Sequence, residues 1–234
     1  MDLMVQLSSI YSFILFDADG TLYDFEQAQA YALQKTFEQA GHPFHTDYAS
    51  LYTKINAKLW DEFEQGLIKQ DQVVIRRFEQ LFAAIHLPLD PQLFNQRYLK
   101  HLAEGSRLID GAEEVVKALS PKVQMLLLTN GVAEVQRPRF ERSAIRPYFD
   151  GIVISEEVGA AKPDGRIFEA AFQMIGNPKK AEVLIVGDSL NADMRGGNQF
   201  GIDTCWYNPH GLPNPQGIKV CYEIRNLSEL LEMV

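Results

Sequence analysis

Cysteine is scarce in this chain of 234 residues: Cys205 and Cys221 are the only two, and no C-x-x-C spacing joins them. That excludes a disulfide framework and a cysteine-built zinc site, and it fits free thiols in a reducing, cytoplasmic setting. The five histidines stand at no ligand spacing and are read as surface or core residues. No apolar run is long enough to span a bilayer. The first, from Phe13, meets Asp17 after a few residues, and the segment before it has no basic stretch of the kind that opens a signal peptide. Long Lys/Arg runs are also missing, and 31 acids against 22 bases leave a net charge of -9, which repels a nucleic-acid backbone. Neither a nucleic-acid polymer nor a membrane is expected as a partner. Internal repeats and low-complexity tracts are absent too.

What the chain does have is apolar residues, 46% of the total, enough to bury a sizeable core. Four short runs concentrate them: Phe13 to Phe16, Val123 to Leu128, Ile152 to Ile154 and Val183 to Val186. Unbroken apolar runs of this length suit strands buried on both faces, as in a parallel sheet covered by helices. Helical spacing lies between them. Residues 111–119 place Ala112, Val115, Val116 and Leu119 on one face, with Asp110 expected as N-cap and Glu113 completing a capping box. Residues 167–175 repeat the pattern. The alternation predicts an α/β fold, a Rossmann-like doubly wound parallel sheet. From about Tyr23 to Gly105 the rhythm changes to Ala, Gln, Glu, Lys and Leu at helical spacing, punctuated near Gly41, Gly66 and Leu87 to Pro91 into about four helices. Residues 1–22 and 106–234 are therefore expected to form the core, with 23–105 an inserted helical domain.

In an open sheet of this kind the ligand lies beyond the carboxyl ends of the strands, so the residues that follow each run matter most. Asp17 and Asp19 follow the first run, Thr129-Asn130-Gly131 the second, and Gly187-Asp188 the fourth, with Asp193 shortly after; Lys162-Pro163 comes after the third. Singly, each acid is as readily a turn or cap residue. Brought to one pocket, the carboxylates would repel strongly unless a divalent cation sat among them, and oxygen donors without His or Cys favour Mg2+. Thr129, Asn130 and Lys162 add a hydroxyl, an amide and an ammonium, which suit the oxygens of a phosphoryl group. Asp17 is then the candidate nucleophile, forming an aspartyl phosphate, and Asp19 the acid that protonates the leaving oxygen and later deprotonates water.

With Asp17-Ala18-Asp19-Gly20-Thr21, Thr129, Lys162-Pro163, Gly187-Asp188 and Asp193 in this order, the chain resembles the haloacid dehalogenase superfamily of phosphohydrolases over nearly its whole length. The resemblance implies a helical cap inserted after the first motif, Mg2+ held by the carboxylates of Asp17 and Asp188 and the main-chain carbonyl of Asp19, and Asp193 behind them. Leu59-Trp60 with Glu64 and Gly66, Thr129-Asn130-Gly131, Ser155 to Gly159 and Cys205 to Pro209 look like the subgroup of nucleoside 5'-monophosphatases acting on pyrimidine and non-standard nucleotides. The expected partner is thus a small phosphate ester, a nucleoside monophosphate first, bound by a monomer or homodimer. Pro138 departs from the pattern and is expected to kink or restart its helix. Trp60, Phe63 and Tyr52 are read as core residues, with stacking on a base as the alternative. A phosphatase of sugar or other small phosphate esters is an alternative. So are a receiver switch, which has no use for Asp19 as an acid, and a haloacid dehalogenase, which needs neither that acid nor Mg2+.

Overall fold

The computed structural model describes residues 11–234; the expectations about residues 1–10, a missing signal stretch and the first residues of the core, lie outside the described residues. The first element of the described residues is β1 (Phe13–Phe16), and the chain then runs through α1 (Phe25–Gln39), α2 (Thr46–Glu64), α3 (Gln70–Ile85) and α4 (Pro91–Glu104) without a strand. Alternation follows: α5 (Ala112–Leu119), β2 (Gln124–Thr129), α6 (Ala133–Arg142), β3 (Gly151–Ile154), α7 (Ser155–Val158) and α8 (Gly165–Met174). β4 (Val183–Gly187), a π-helical turn at Leu190–Met194, α9 (Arg195–Phe200), β5 (Asp203–Tyr207) and β6 (Tyr222–Ile224) complete it.

Among the described residues all six strands are parallel, in the order β3-β2-β1-β4-β5-β6. Side chains alternate between the faces, as strand geometry requires. Ile14, Phe16, Met125, Leu127, Leu184 and Val186 join one core with α5 and α6, whereas Leu15, Leu126, Leu128, Val183 and Ile185 join another with α8. Both faces are covered, which is the doubly wound arrangement. A third cluster lies within α1 to α4 and centres on Phe37, Tyr52, Phe78, Phe82, Phe94 and Tyr98. Tyr52 stacks on Phe78 there, at 5.4 Å between ring centres, and so belongs to the packing.

Two crossings join the helical segment to the sheet, and they lie side by side. Asp24 N–H donates to Arg107 O at 3.0 Å, and Ile109 N–H to Leu22 O at 2.9 Å. α6 ties the two parts further, because Val135 packs into the helical cluster and Phe140 into the sheet core.

Two local expectations need correction. Asp110 does not cap α5: Gly111 takes the N-cap position, and the Asp110 carboxylate stands exposed 3.8 Å from Arg107, one residue too early to reach the helix N–H groups. Nor does Pro138 restart its helix. α6 runs from Ala133 to Arg142 through it, although proline has no N–H to donate to the helix.

Candidate active site

The sheet order reverses at β1: the chain leaves it for β2 and β3 on one side and later returns to β4 on the other. Phe16 pairs with both Leu127 and Val186, so Asp17 emerges level with Leu128 and Gly187, where the carboxyl ends of three strands open into one space. That space is a cavity of about 620 Å3, closed on the far side by residues of α1, α2 and α3. Its size is that of a pocket for a small organic ligand and exceeds what a bare phosphate needs.

Lys162 organises the floor. Its Nζ donates to Asp17 Oδ1 at 2.5 Å, to Leu128 O at 2.6 Å and to Asp193 Oδ1 at 2.7 Å, and the side chain is only 1% exposed. Three donors meet three acceptors, so the ammonium is saturated and fixed. Asn130 holds it from behind. The Lys162 N–H donates to Asn130 Oδ1 at 2.8 Å, and Asn130 Nδ2 donates to Lys162 O at 2.9 Å. The amide expected to face a ligand thus spends its oxygen and an N–H on the main chain of Lys162. Thr129 accepts from Gly131 N–H at 3.0 Å, which leaves its hydroxyl hydrogen for the cavity it lines.

Two glycines let the acids approach. Gly20 has φ +84°, and a Cβ there would stand 2.5 Å from Asp188 Oδ2; a Cβ on Gly187 would stand 2.2 Å from Asp193 Oδ2. Any other residue at either place would push a carboxylate out of the site.

Asp17, Asp188 and Asp193 offer oxygens within 4.8 Å of one another. Burial drives the Asp17 carboxyl up to about 7, against the pull of Lys162, with Asp193 adding repulsion. Asp188 is raised well above the usual carboxylate range, again first by burial and then by Asp17, Asp193 and Glu64. Asp188 keeps an accessible face, but it lines the cavity, so its neighbourhood is protein and other acids. For Lys162, burial acts to lower the pKa, but Asp17 and Asp193 outweigh it and raise it, so it stays charged.

The donor set fits a hard divalent cation. Both Asp193 oxygens are engaged, by Lys162 and by Ser189 N–H at 3.1 Å, whereas Asp188 Oδ1 has only a long contact of 3.4 Å from Thr21 Oγ1. Asp17 and Asp188 therefore retain oxygens that a cation would satisfy, and Asp193 does not. No His or Cys stands in the group, which suits Mg2+.

Asp19 lines the same cavity, but its carboxylate is held by α6: Gln136 Nε2 donates to Oδ2 at 2.5 Å and Arg139 Nη1 to Oδ1 at 2.7 Å. Arg139 is fully buried and lies over the Tyr23 ring at 4.6 Å. Sequence reasoning missed both residues. Their spacing of three on one helix face, amid apolar neighbours, was the available clue. It also missed the contacts from the helical segment: Ser189 Oγ donates to Glu64 Oε2 at 2.7 Å, Asn191 Nδ2 to Asp61 Oδ1 at 2.8 Å, and Gln70 Nε2 to Asn130 O at 3.0 Å. Burial raises Glu64 to about 7, although the bond from Ser189 works the other way.

A doubly wound sheet carrying carboxylates, a saturated lysine and a free hydroxyl at its switch point defines a class of α/β hydrolytic enzymes with an acidic, metal-ready centre. Residues 11–201 match the family model described as haloacid dehalogenase-like hydrolase, and the chain belongs to that family as a phosphohydrolase. Pyrimidine 5'-nucleotidase PynA of Streptococcus pneumoniae is 35% identical over 95% of this chain and 94% of its own. Pyrimidine 5'-nucleotidase YjjG of Escherichia coli is 35% identical over 96% of this chain and 98% of its own. The crystal structure of the HAD-hydrolase YfnB of Bacillus subtilis, described as bound to magnesium and revealing interdomain movement, superposes with a TM-score of 0.91. It is 39% identical and covers 95% of this chain and 98% of that one.

Proposed function

We propose that the protein is a Mg2+-dependent phosphomonoesterase working through an aspartyl phosphate on Asp17, and that its substrates are nucleoside 5'-monophosphates, pyrimidine or non-standard. The observation that carries this reading is the convergence of Asp17, Lys162 and Asp188 at the carboxyl ends of β1 and β4, beneath a cavity much larger than a phosphate. The names of the pyrimidine 5'-nucleotidase relatives support the choice of substrate. In this reading residues 23–105 act as a cap over a core of residues 1–22 and 106–234.

Mg2+ would be held by the carboxylates of Asp17 and Asp188 with the main-chain carbonyl of Asp19. When bound, it supplies positive charge that draws the phosphoryl oxygens toward Asp17 and stabilises charge built up in transfer. Lys162 pulls Asp17 toward its ionised form and holds it in a single rotamer. An Asp17 oxygen attacks phosphorus, the bond from phosphorus to the ester oxygen breaks, and Asp19 gives that oxygen a proton. Asp19 then takes a proton from water as the water oxygen attacks phosphorus, and the bond to Asp17 breaks. The Thr129 hydroxyl donates to a phosphoryl oxygen throughout, while Asn130 serves by bracing Lys162. Before any of this, Asp19 has to turn from Gln136 and Arg139 toward the ester and carry a proton, taken first from solvent and regained from the attacking water in each cycle.

The test is phosphate release from a panel of nucleoside monophosphates, sugar phosphates and an aryl phosphate, with Mg2+ and with EDTA. Release is expected to need Mg2+, to peak on pyrimidine monophosphates, and to fall to background in Asp17→Asn, which is near isosteric and keeps the fold. Release indifferent to EDTA, or retained by Asp17→Asn, would remove the mechanism.

A further inference from the structure

The wall of the cavity built by α1, α2 and α3 carries buried polar groups that phosphoryl chemistry does not use. Arg77 lines it at 2% exposure. Its guanidinium donates to Val74 O at 3.3 Å, Asn56 Oδ1 at 3.4 Å and Asn95 Oδ1 at 2.8 Å, all neutral oxygens, and lies over the rings of Tyr98 and Phe78 at 4.8 and 5.1 Å. Among the described residues no carboxylate pairs with it. Gln29, 5% exposed and lining the same wall, donates from Nε2 to Thr53 Oγ1 at 3.2 Å, while its Oε1 has no partner. Gln29 hangs on Thr53 and Arg77 on Asn56, about one turn further along α2, and a buried acceptor without a donor is costly unless a ligand supplies one. Asn95 and the aromatic rings would suffice for an arginine that only packs. They leave the bare oxygen of Gln29 unexplained.

We infer that this wall is a base-recognition subsite, in which Arg77 donates to a ring carbonyl oxygen of a pyrimidine and Gln29 Oε1 accepts the adjacent ring N–H. Donor beside acceptor matches a -CO-NH- edge. A second phosphate would answer Arg77 but repel the bare oxygen of Gln29, and so fits less well. Trp60, packed edge-on against Phe63 with ring centres 5.5 Å apart, lines the same space and supplies an aromatic side to it. The inference rests on the nucleotidase reading and names the residues that would make it selective.

The experiment compares kcat/KM for uridine 5'-monophosphate with that for ribose 5-phosphate, which lacks the base, in the parent, Gln29→Leu and Arg77→Lys, alongside Tm. In parallel, calorimetry measures binding of both compounds to the same set carrying Asp17→Asn. The ratio of uridine monophosphate to ribose phosphate is expected to fall roughly tenfold in each variant, in rate and in binding, as for loss of one buried hydrogen bond. An unchanged ratio in Gln29→Leu would overturn the subsite, even if Arg77→Lys failed to fold. So would a parent that prefers a bisphosphorylated sugar and loses that preference in Arg77→Lys. Absence of hydrolysis of any ester would instead defeat the phosphatase reading, and the binding ratio would still judge the subsite.

Discussion

Asp19 shows most directly how a single residue's task depends on its partners. Both its oxygens are occupied by N–H donors of Gln136 and Arg139, so it has to leave them before it can serve a leaving oxygen. An acid catalyst matters most when the leaving oxygen is strongly basic. Asp19→Asn should therefore lower kcat/KM for a nucleoside monophosphate by roughly 100-fold or more, but much less for p-nitrophenyl phosphate, whose leaving group needs no proton. Equal losses on both esters, seen by steady-state kinetics, would contradict the role. Asp17 and Lys162 stood out in the sequence because each follows an apolar run. Arg139 did not, because an arginine at the helix surface and one fully buried over Tyr23 read identically until the chain is packed.

At the scale of elements, the end of α2 meets the turn after β4 through Asp61 with Asn191 and Glu64 with Ser189. These bonds join the helical segment to the loop that carries Asp188 and Asp193, separately from the paired crossings at Asp24 and Ile109. Such placing suits a latch. Asp61→Ala removes one partly buried hydrogen bond, a net loss of about 1 kcal/mol, and is expected to raise KM roughly fivefold with little change in Tm. An unchanged KM would show that the contact does not help to hold the segment over the ligand. α6 is the other joint: it belongs to the sheet core by sequence position, yet packs Val135 into the helical cluster and reaches Asp19 from the same turn. A helix after Gly131 is expected from the sequence, but not one that serves two cores at once.

For the whole molecule, the acidic centre sets a pH dependence. Burial raises Asp17 and Glu64 to about 7 and Asp188 well above the usual carboxylate range, so the folded metal-free chain binds more protons than the unfolded chain above about pH 4. Their contribution to stability is present below that value and is lost as pH rises through about 7. Lys162, raised as well, changes only above its ordinary value near 10 and does not affect this window. In EDTA, Tm should therefore decline between about pH 5.5 and about pH 8, and Mg2+ should reduce the decline by favouring the ionised acids. A metal-free Tm that rises across this range in scanning calorimetry would contradict the account. The sequence by itself determined the four strands of the apolar runs, the helical segment between the first two, and the acids Asp17, Asp19 and Asp188 at strand ends, because apolar runs and helical periodicity are local properties and these acids sit just past a run. Tertiary structure alone decided that Asn130 braces Lys162, that Asp193 is saturated while Asp188 is open, and that Gln29 and Arg77 face one cavity. Those facts depend on which side chains, far apart in the chain, compete for the same buried hydrogen bonds, and no local pattern records the outcome of that competition.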